Sequence, residues 1–300
     1  LIHCSSTLHS RLLQLQSRFT WDLTEEDLDL ENLSTRLQDH IDLQLGQRGA
    51  GLSLLRYLQD RKEEAVALLN QSEEKTRECF TEDSERRLIV TYGDLAWLKY
   101  QTGDYTHCCP SFSLQAKYPT GSSTVLHPEV YGEKGWTYLK FRKSYYPKAI
   151  DCFRKALELQ PEDSEWNAGC AIALYRTEPE SPAFKQLRRA LQINPDDGVL
   201  LSMLALKLVA YNKHQEAEGL VEKALKIEPD HPHVMRYVGK YLRIQGENEQ
   251  SIDLLKRALE RSKKSAFIHH QLAMCYKKKK TDEQTKKPFD KQNKGTHILV

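Results

Sequence analysis

Four columns of the sequence recur at one interval. Pro161, Pro195 and Pro229 lie 34 residues apart. Ala156, Ala190, Ala224 and Ala258 keep that spacing, as do Ala149, Ala183 and Ala217, with Ser251 next. Phe153, Leu187, Val221 and Leu255 form the fourth column. A fixed period of this length marks one supersecondary unit repeated along the chain. Small side chains let two helices approach closely. The closing proline ends the second helix, because it has no amide hydrogen and clashes with the preceding turn. One such hairpin cannot cover its own apolar face, so neighbours must stack to bury it.

The period, the small residues and the closing proline together are the tetratricopeptide signature. The fold expected is all-α, a right-handed superhelical solenoid of helix hairpins. Repeats start at 130, 164, 198, 232 and 266, the last one truncated. A looser repeat starts near 89, with Tyr92, Leu95, Ala96, Gly103 and Tyr105 in place, and another spans about 46 to 80. Upstream, Thr24 and Asp27 resemble a capping box that opens a helix running to about Gln44. Residues 117–129 and 177–182 read as loops. Three parts result: an N-terminal helical segment over 1–45, the repeat array over 46–276, and a basic flexible tail over 277–300. The tail holds eight lysines between 277 and 294. It reads as a solvated region or as a sequence-independent tether for RNA. The last repeat has neither a second helix nor a polar capping helix, so the chain is expected to end before its architecture does.

Composition excludes more than it selects. With 39% hydrophobic residues over 300 positions, a large core can form. A net charge of +2 imposes no bulk field, so any nucleic-acid site must come from local clustering. Seven cysteines without a CxxC pair read as reduced thiols in a cytosolic protein. No apolar run approaches the roughly 20 residues of a membrane span. Nucleotide-binding, zinc-hydrolase and serine-hydrolase motifs do not occur. Neither a catalytic role nor a cofactor is expected.

The first helix of such a repeat lines the concave surface through positions 2, 5, 9 and 12. These positions give Tyr131, Glu165, Val199, His233 and Phe267; Lys134, Ala168, Ser202, Arg236 and His270; Tyr138, Ile172, Leu206 and Lys240; and Phe141, Tyr175, Val209, Arg243 and Lys277. The lining is aromatic, basic and histidine-bearing. It suits a peptide, the common ligand of such arrays, and also a nucleic acid, whose bases stack on aromatics and whose phosphates pair with arginine. No asparagine lies on this stripe, which argues against a carboxylate clamp. Lys140, at position 11, breaks a column that continues as Leu174, Leu208, Leu242 and Tyr276. It either snorkels to water or emerges into the groove and holds an anion. Arg176, at position 13, poses the same question.

The segments FTWDL (19–23), VTYGDLAW (90–97), EKGWTYLKF (133–141), AIALYR (171–176), LALKL (204–208), EAEG (216–219), RYVGKYLR (236–243) and IHHQLAMCYK (268–277) carry a resemblance. In combination they resemble the interferon-induced proteins with tetratricopeptide repeats. The resemblance covers about 19 to 280. It implies a cytoplasmic innate-immune effector, made on interferon signalling. Such proteins bind the 5′ end of foreign single-stranded RNA in a basic central tunnel, as a triphosphate or an incompletely methylated cap, and block its translation. On this resemblance Lys140 meets the terminal phosphates and Arg176 the phosphate and cap end, with Arg36 and His40 of the N-terminal helix nearby. Trp136 stacks the cap guanine, Glu165 lies near that base, and Tyr146 lies beside the first nucleotides. Arg236, Tyr237 and Arg243 contact RNA, and His270 and Gln271 meet the first riboses. Trp136, Tyr146 and Tyr237 equally suit plain core packing. His40, His233 and Asp197 depart from the family pattern, Asp197 replacing an asparagine near the cap pocket. The other function the resemblance allows is a scaffold that assembles with related family members and binds no RNA itself.

Overall fold

The computed structural model describes residues 8–23, 29–42, 50–81, 83–104, 127–177 and 181–285, the side chains of 32, 36, 39–42, 50 and 181 excepted. Two compact units divide it, Leu1–Pro195 and Asp196–Val300. The first holds helices α1 (Leu30–Asp42), α2 (Ala50–Leu58), α3 (Lys62–Cys79), α4 (Ile89–Gln101), α5 (Pro128–Phe141), α6 (Tyr146–Leu159), α7 (Ser164–Thr177) and α8 (Ser181–Ile193). The second holds α9 (Gly198–Ala210), α10 (His214–Ile227), α11 (Pro232–Gln245), α12 (Asn248–Arg261) and α13 (Ala266–Thr285). Within each unit successive helices pack as antiparallel hairpins, α5 on α6, α7 on α8, α9 on α10 and α11 on α12. The fold is an all-α solenoid of tetratricopeptide hairpins, and its first helices start at 164, 198, 232 and 266, in step with the sequence period.

The regular spacing of small residues follows from the packing. Ala149, Ala156 and Ala183 in the first unit, and Ala217, Ala224 and Ala258 in the second, are fully buried. Where Ser251 interrupts the alanine column, its hydroxyl donates to the Gly239 carbonyl at 2.6 Å, so the extra polar atom is satisfied. Phe153 is enclosed between two helices of the first unit. A Cβ on Gly135 would lie 2.8 Å from its ring, and one on Gly169 would lie 2.4 Å away.

The structure corrects the expected groove. Tyr138, Phe141, Ser202 and Leu206 belong to the stripe assigned to the concave surface, yet all four are buried. In the first unit the cause is the N-terminal segment. Leu33, Leu37 and Leu52 of α1 and α2 join one core cluster with Tyr138 and Phe141. The inner face of α5 is therefore partly roofed by the chain's own first helices.

The tail expected from 277 is helical through Thr285, and its remainder lies outside the described residues. α13 runs on to Thr285, nine residues beyond Tyr276. Residues 277–285 contain neither glycine nor proline, and the first proline comes at Pro288. Lys278–Asp282 and Lys279–Glu283 are i,i+4 pairs, and Lys279 Nζ also reaches Glu249 Oε1 of α12 at 2.8 Å. The proposed loop at 177–182 is shorter than its sequence suggests, because Thr177 ends α7 and Ser181 begins α8. The capping-box pair Thr24 and Asp27, and most of the loop at 117–129, lie outside the described residues.

Two outcomes follow for stability. Gly169→Ala drives a methyl into the Phe153 ring and should cost about 1–3 kcal/mol. The measurement is a lower urea midpoint at unchanged slope, partly recovered in the Gly169→Ala, Phe153→Leu double variant. The second outcome concerns His231, whose Nδ1 caps α11 by accepting from the His233 and Val234 amides. Burial, and then the charge of Arg236, push it down to about 4 from 6.5. Between these values the unfolded chain holds a proton that the folded chain does not. Stability should therefore fall as pH drops from about 6.5 to about 4, and His231 should add no pH dependence above that window, where its cap is intact. His231→Asn keeps a cap acceptor without titrating, and an equally steep acid loss in that variant would refute the assignment.

Candidate functional site

The site in the first unit is built on a buried ion network. Arg18 lies in a short 3₁₀ turn (Arg18–Thr20) opened by Ser17, and it is only 3% exposed. Its Nη1 donates to Asp94 Oδ2 of α4 at 2.5 Å, and its Nη2 to Glu133 Oε2 of α5 at 2.5 Å. Nε donates to Thr137 Oγ1 at 3.3 Å. Asp94 Oδ1 accepts from the Ser17 hydroxyl at 2.8 Å and the Arg18 amide at 2.7 Å. Burial alone would weaken the guanidinium's hold on its proton. Asp94 and Glu133 more than offset that, and the Arg18 pKa is raised. Close docking requires Gly93, because a Cβ there would stand 2.2 Å from the Gln16 carbonyl oxygen. Trp21 packs with Ile89, Val90 and Val130 beside this network.

Lys140 and Trp136 occupy the next turns of the same α5 face. A small cavity of about 20 Å³ is lined by Arg18, Leu37, Gly51, Glu133, Trp136, Thr137, Lys140 and Phe141. Lys140 Nζ stands 5.5 Å from the centre of the Trp136 ring, a cation–π distance. The indole is partly buried and meets Phe153 edge-to-face at 5.3 Å. Its Nε1 is buried, with no hydrogen-bond partner among the described residues. Trp136 thus packs on Phe153 and also meets the Lys140 cation over its ring. Arg36 and His40 fall on α1, but their side chains lie outside the described residues.

Arg176 closes α7 as Lys140 closes α5, each in the last turn of a first helix. Its guanidinium lies 5.8 Å from the ring of Tyr146, at the start of α6. Glu165, in the first turn of α7, pairs with Arg87 Nη1 at 3.4 Å. Arg87 itself lies 4.1 Å over the Phe80 ring. The structure therefore joins Lys140 to Trp136 and Arg176 to Tyr146, and it holds Glu165 on Arg87. A larger cavity of about 680 Å³ in this unit is lined by Gln38, Arg56, Glu64, Asn70, Gln71 and Glu74 among others. Its two carboxylates do not favour a polyanion.

The second unit carries its own cluster. Arg236 lies 4.8 Å from the Tyr237 ring and 5.6 Å from the Phe267 ring. It donates to the Tyr237 hydroxyl and approaches His233 Nδ1, both at 3.2 Å. Its Nε is buried without a partner among the described residues. Arg243 Nε donates to Gln271 Oε1 at 3.0 Å. Gln271 is 4% exposed, so it orients Arg243 from within the core, whereas its neighbour His270 is exposed. Tyr237 is buried against Phe267. Asp197 is the N-cap of α9, its Oδ1 accepting from the Leu200 amide at 2.9 Å. Burial raises its pKa, and burial followed by Asp197 raises that of Glu228.

Sequence reasoning missed Arg18 and Asp94. The signal was present, Arg18 just before FTWDL and Asp94 inside VTYGDLAW, but only the fold brings residues 76 apart in sequence into contact. Among the described residues no cluster of metal-ligand type occurs, no helix is long and apolar enough to cross a membrane, and Cys79, Cys152, Cys170 and Cys275 are free thiols. Removing one partner of a buried pair leaves its counter-charge stranded, so Arg18→Met should cost about 3–5 kcal/mol. Chemical denaturation of that variant and of Arg18→Met, Asp94→Leu tests this, with the double variant expected to be the more stable of the two.

Comparison with known proteins gives a consistent picture. Models of the tetratricopeptide repeat match residues 128–163 and 202–266. The antiviral innate immune response effector IFIT1 of Homo sapiens is 32% identical over 288 residues, which is 89% of this chain and 59% of the relative. Human IFIT1 has been solved as a dimer with m7Gppp-AAAA, and that structure matches at a TM-score of 0.81 and 29% identity, covering 94% of this chain and 65% of the other. The human IFIT1 dimer with PPP-AAAA matches at 0.77 and 30% identity, covering 93% and 64%. The chain spans about 60% of the length of its curated relatives. On these matches the chain belongs to the family of interferon-induced proteins with tetratricopeptide repeats.

Proposed function

We propose that this chain is an antiviral effector that binds the 5′ end of foreign single-stranded RNA, as a triphosphate or an incompletely methylated cap, and blocks its translation in the cytoplasm without catalysis. One observation carries the reading. A relative solved with both m7Gppp-AAAA and PPP-AAAA matches nearly the whole chain, and the chain sets cations on aromatic faces in both units. Lys140 and Arg176 would neutralise terminal phosphates, since charge-assisted pairs to phosphate are the strong ones. Trp136 and Tyr146 would offer ring faces to bases, and Arg236 and Arg243 would take backbone phosphates. Phosphate contacts would dominate affinity, which should fall with salt.

The assembly of human IFIT1 as a dimer favours a second reading, a scaffold that joins related family members. The ultraviolet absorbance ratio of the purified chain separates the two by showing whether it carries nucleic acid.

The decisive measurement is a titration of triphosphate, capped and 5′-hydroxyl RNAs of one sequence. Lys140→Met and Arg176→Met should each cost about 1.5–3 kcal/mol on triphosphate RNA and little on hydroxyl RNA. Equal affinity of the unaltered chain for all three RNAs would sink the 5′-end reading.

A further inference from the structure

Cys152 and Lys134 take no part in that reading, yet the first unit sets them opposite each other. α5 and α6 pack as an antiparallel hairpin, so a step forward on one helix matches a step back on the other. Two contacts fix the register. Lys155 Nζ of α6 stands 5.7 Å from the Tyr131 ring of α5. Seven residues on in α5 and seven back in α6, Lys148 Nζ stands 5.8 Å from the Tyr138 ring. Lys134 comes three residues after Tyr131, and Cys152 three before Lys155. Steps of three and seven stay on one helical face. The thiol and the amine therefore face each other between the two lysine–tyrosine contacts. Both groups are half-buried. Lys134 Nζ also lies 5.4 Å from the Trp21 ring, and it forms no ion pair among the described residues. Burial lowers the Lys134 pKa, and Cys152 pulls it back. Burial raises that of Cys152, and Lys134 and then Lys155 pull it back. Burial thus biases both groups toward their uncharged forms, and a neutral amine is a nucleophile where an ammonium is not.

We propose that Cys152 and Lys134 form a reversible redox staple, in which a hydroperoxide oxidises the thiol and the amine then closes a sulfur–nitrogen bond between α5 and α6. In the first step the thiol takes one peroxide oxygen and becomes a sulfenic acid, and the rest of the hydroperoxide leaves as water or an alcohol. Sulfur gives up two electrons and the peroxide bond accepts them. Sulfenic acids condense with a nearby thiol or nitrogen. In the second step the Lys134 nitrogen attacks sulfur and the sulfur–oxygen bond breaks. The hydroxyl leaves with an amine proton as water, so no further oxidant is needed. A thiol reductant attacks the same sulfur, frees the amine and restores the cysteine. Lys155 is exposed and shares a helix with Cys152, so a bond to it would leave α5 unlinked.

The test treats the folded full chain with hydrogen peroxide and maps its peptides by mass. A linked pair carrying Lys134 and Cys152 should appear, lighter by two hydrogens than its two parts, and dithiothreitol should release it. Lys134→Gln and Cys152→Ser should each abolish the link. In Lys134→Gln the Cys152 thiol should instead run on to the sulfinic acid. A staple closes a loop of the unfolded chain, so the oxidised protein should unfold at a higher urea midpoint than the reduced one. Neither variant should show that rise. Peroxide added in concentrated urea, where the hairpin register is lost, should give no linked pair. A link formed equally in urea overturns the staple, as does a bond to Lys155 in place of Lys134. So does a disulfide from Cys152 to another cysteine in place of the link. So does sulfinic acid at Cys152 to the same extent in the unaltered chain and in Lys134→Gln.

Discussion

The buried guanidinium of Arg18 ties together parts of the first unit that the repeat pattern does not connect. It draws its own 3₁₀ turn, α4 and α5 onto one charge centre. Two carboxylates face one cation, and each would be costly to bury alone. Thr137 and Ser17 supply the remaining hydrogen bonds, so the network is close to satisfied. Its geometry fixes the rotation of α5 about its axis. That rotation in turn decides where Trp136 and Lys140 point, since both lie within one or two turns of Glu133 and Thr137.

The first unit departs from a plain tetratricopeptide array in a second way as well. In a plain array the inner stripe of each first helix is open. Here α1 and α2 cover Tyr138 and Phe141, and what remains beside Lys140 is a small cavity with one wall of ions and one of indole. Covering the stripe lowers the local dielectric around the lysine. Electrostatic attraction to an anion is stronger in such surroundings than in open water. A roof that removes most of a groove thereby strengthens the attraction at the part that is left.

The fold was legible in the sequence because its strongest signal is periodic. Buried alanines at 149, 156, 183, 190, 217, 224 and 258 recur with the hairpin itself. The site was legible only in part. Lys140 stood out as a cation in a leucine column, and the structure sets it against Trp136. The resemblance puts Gln271 beside the first riboses, and the structure adds that it is buried and accepts from Arg243. Asp197, which replaces an asparagine in the family pattern, caps α9, a role its place in the motif did not announce. Phase alone cannot separate such roles, because one helical face holds both side chains that point into the groove and side chains that brace them. Arg18 and Asp94 were beyond reach for another reason. Their pairing is non-local, and neither falls in a repeated column.

The placement of the cations has a logic independent of any ligand. Lys99, Lys140, Arg176, Lys207 and Arg243 each lie in the last turn of a first helix, although they occupy different positions of the repeat. The carbonyl end of a helix carries partial negative charge, and a cation there contributes about 0.3–1 kcal/mol. Each first helix therefore tolerates a basic residue at any of several neighbouring positions of its last turn. What distinguishes Lys140 and Arg176 among these cations is the aromatic ring that each one meets, as Arg236 does nearer the start of α11. Ring contact restricts a long side chain that would otherwise lose rotamer freedom on binding. Cations ordered in advance by the fold leave more of the phosphate attraction to appear as affinity.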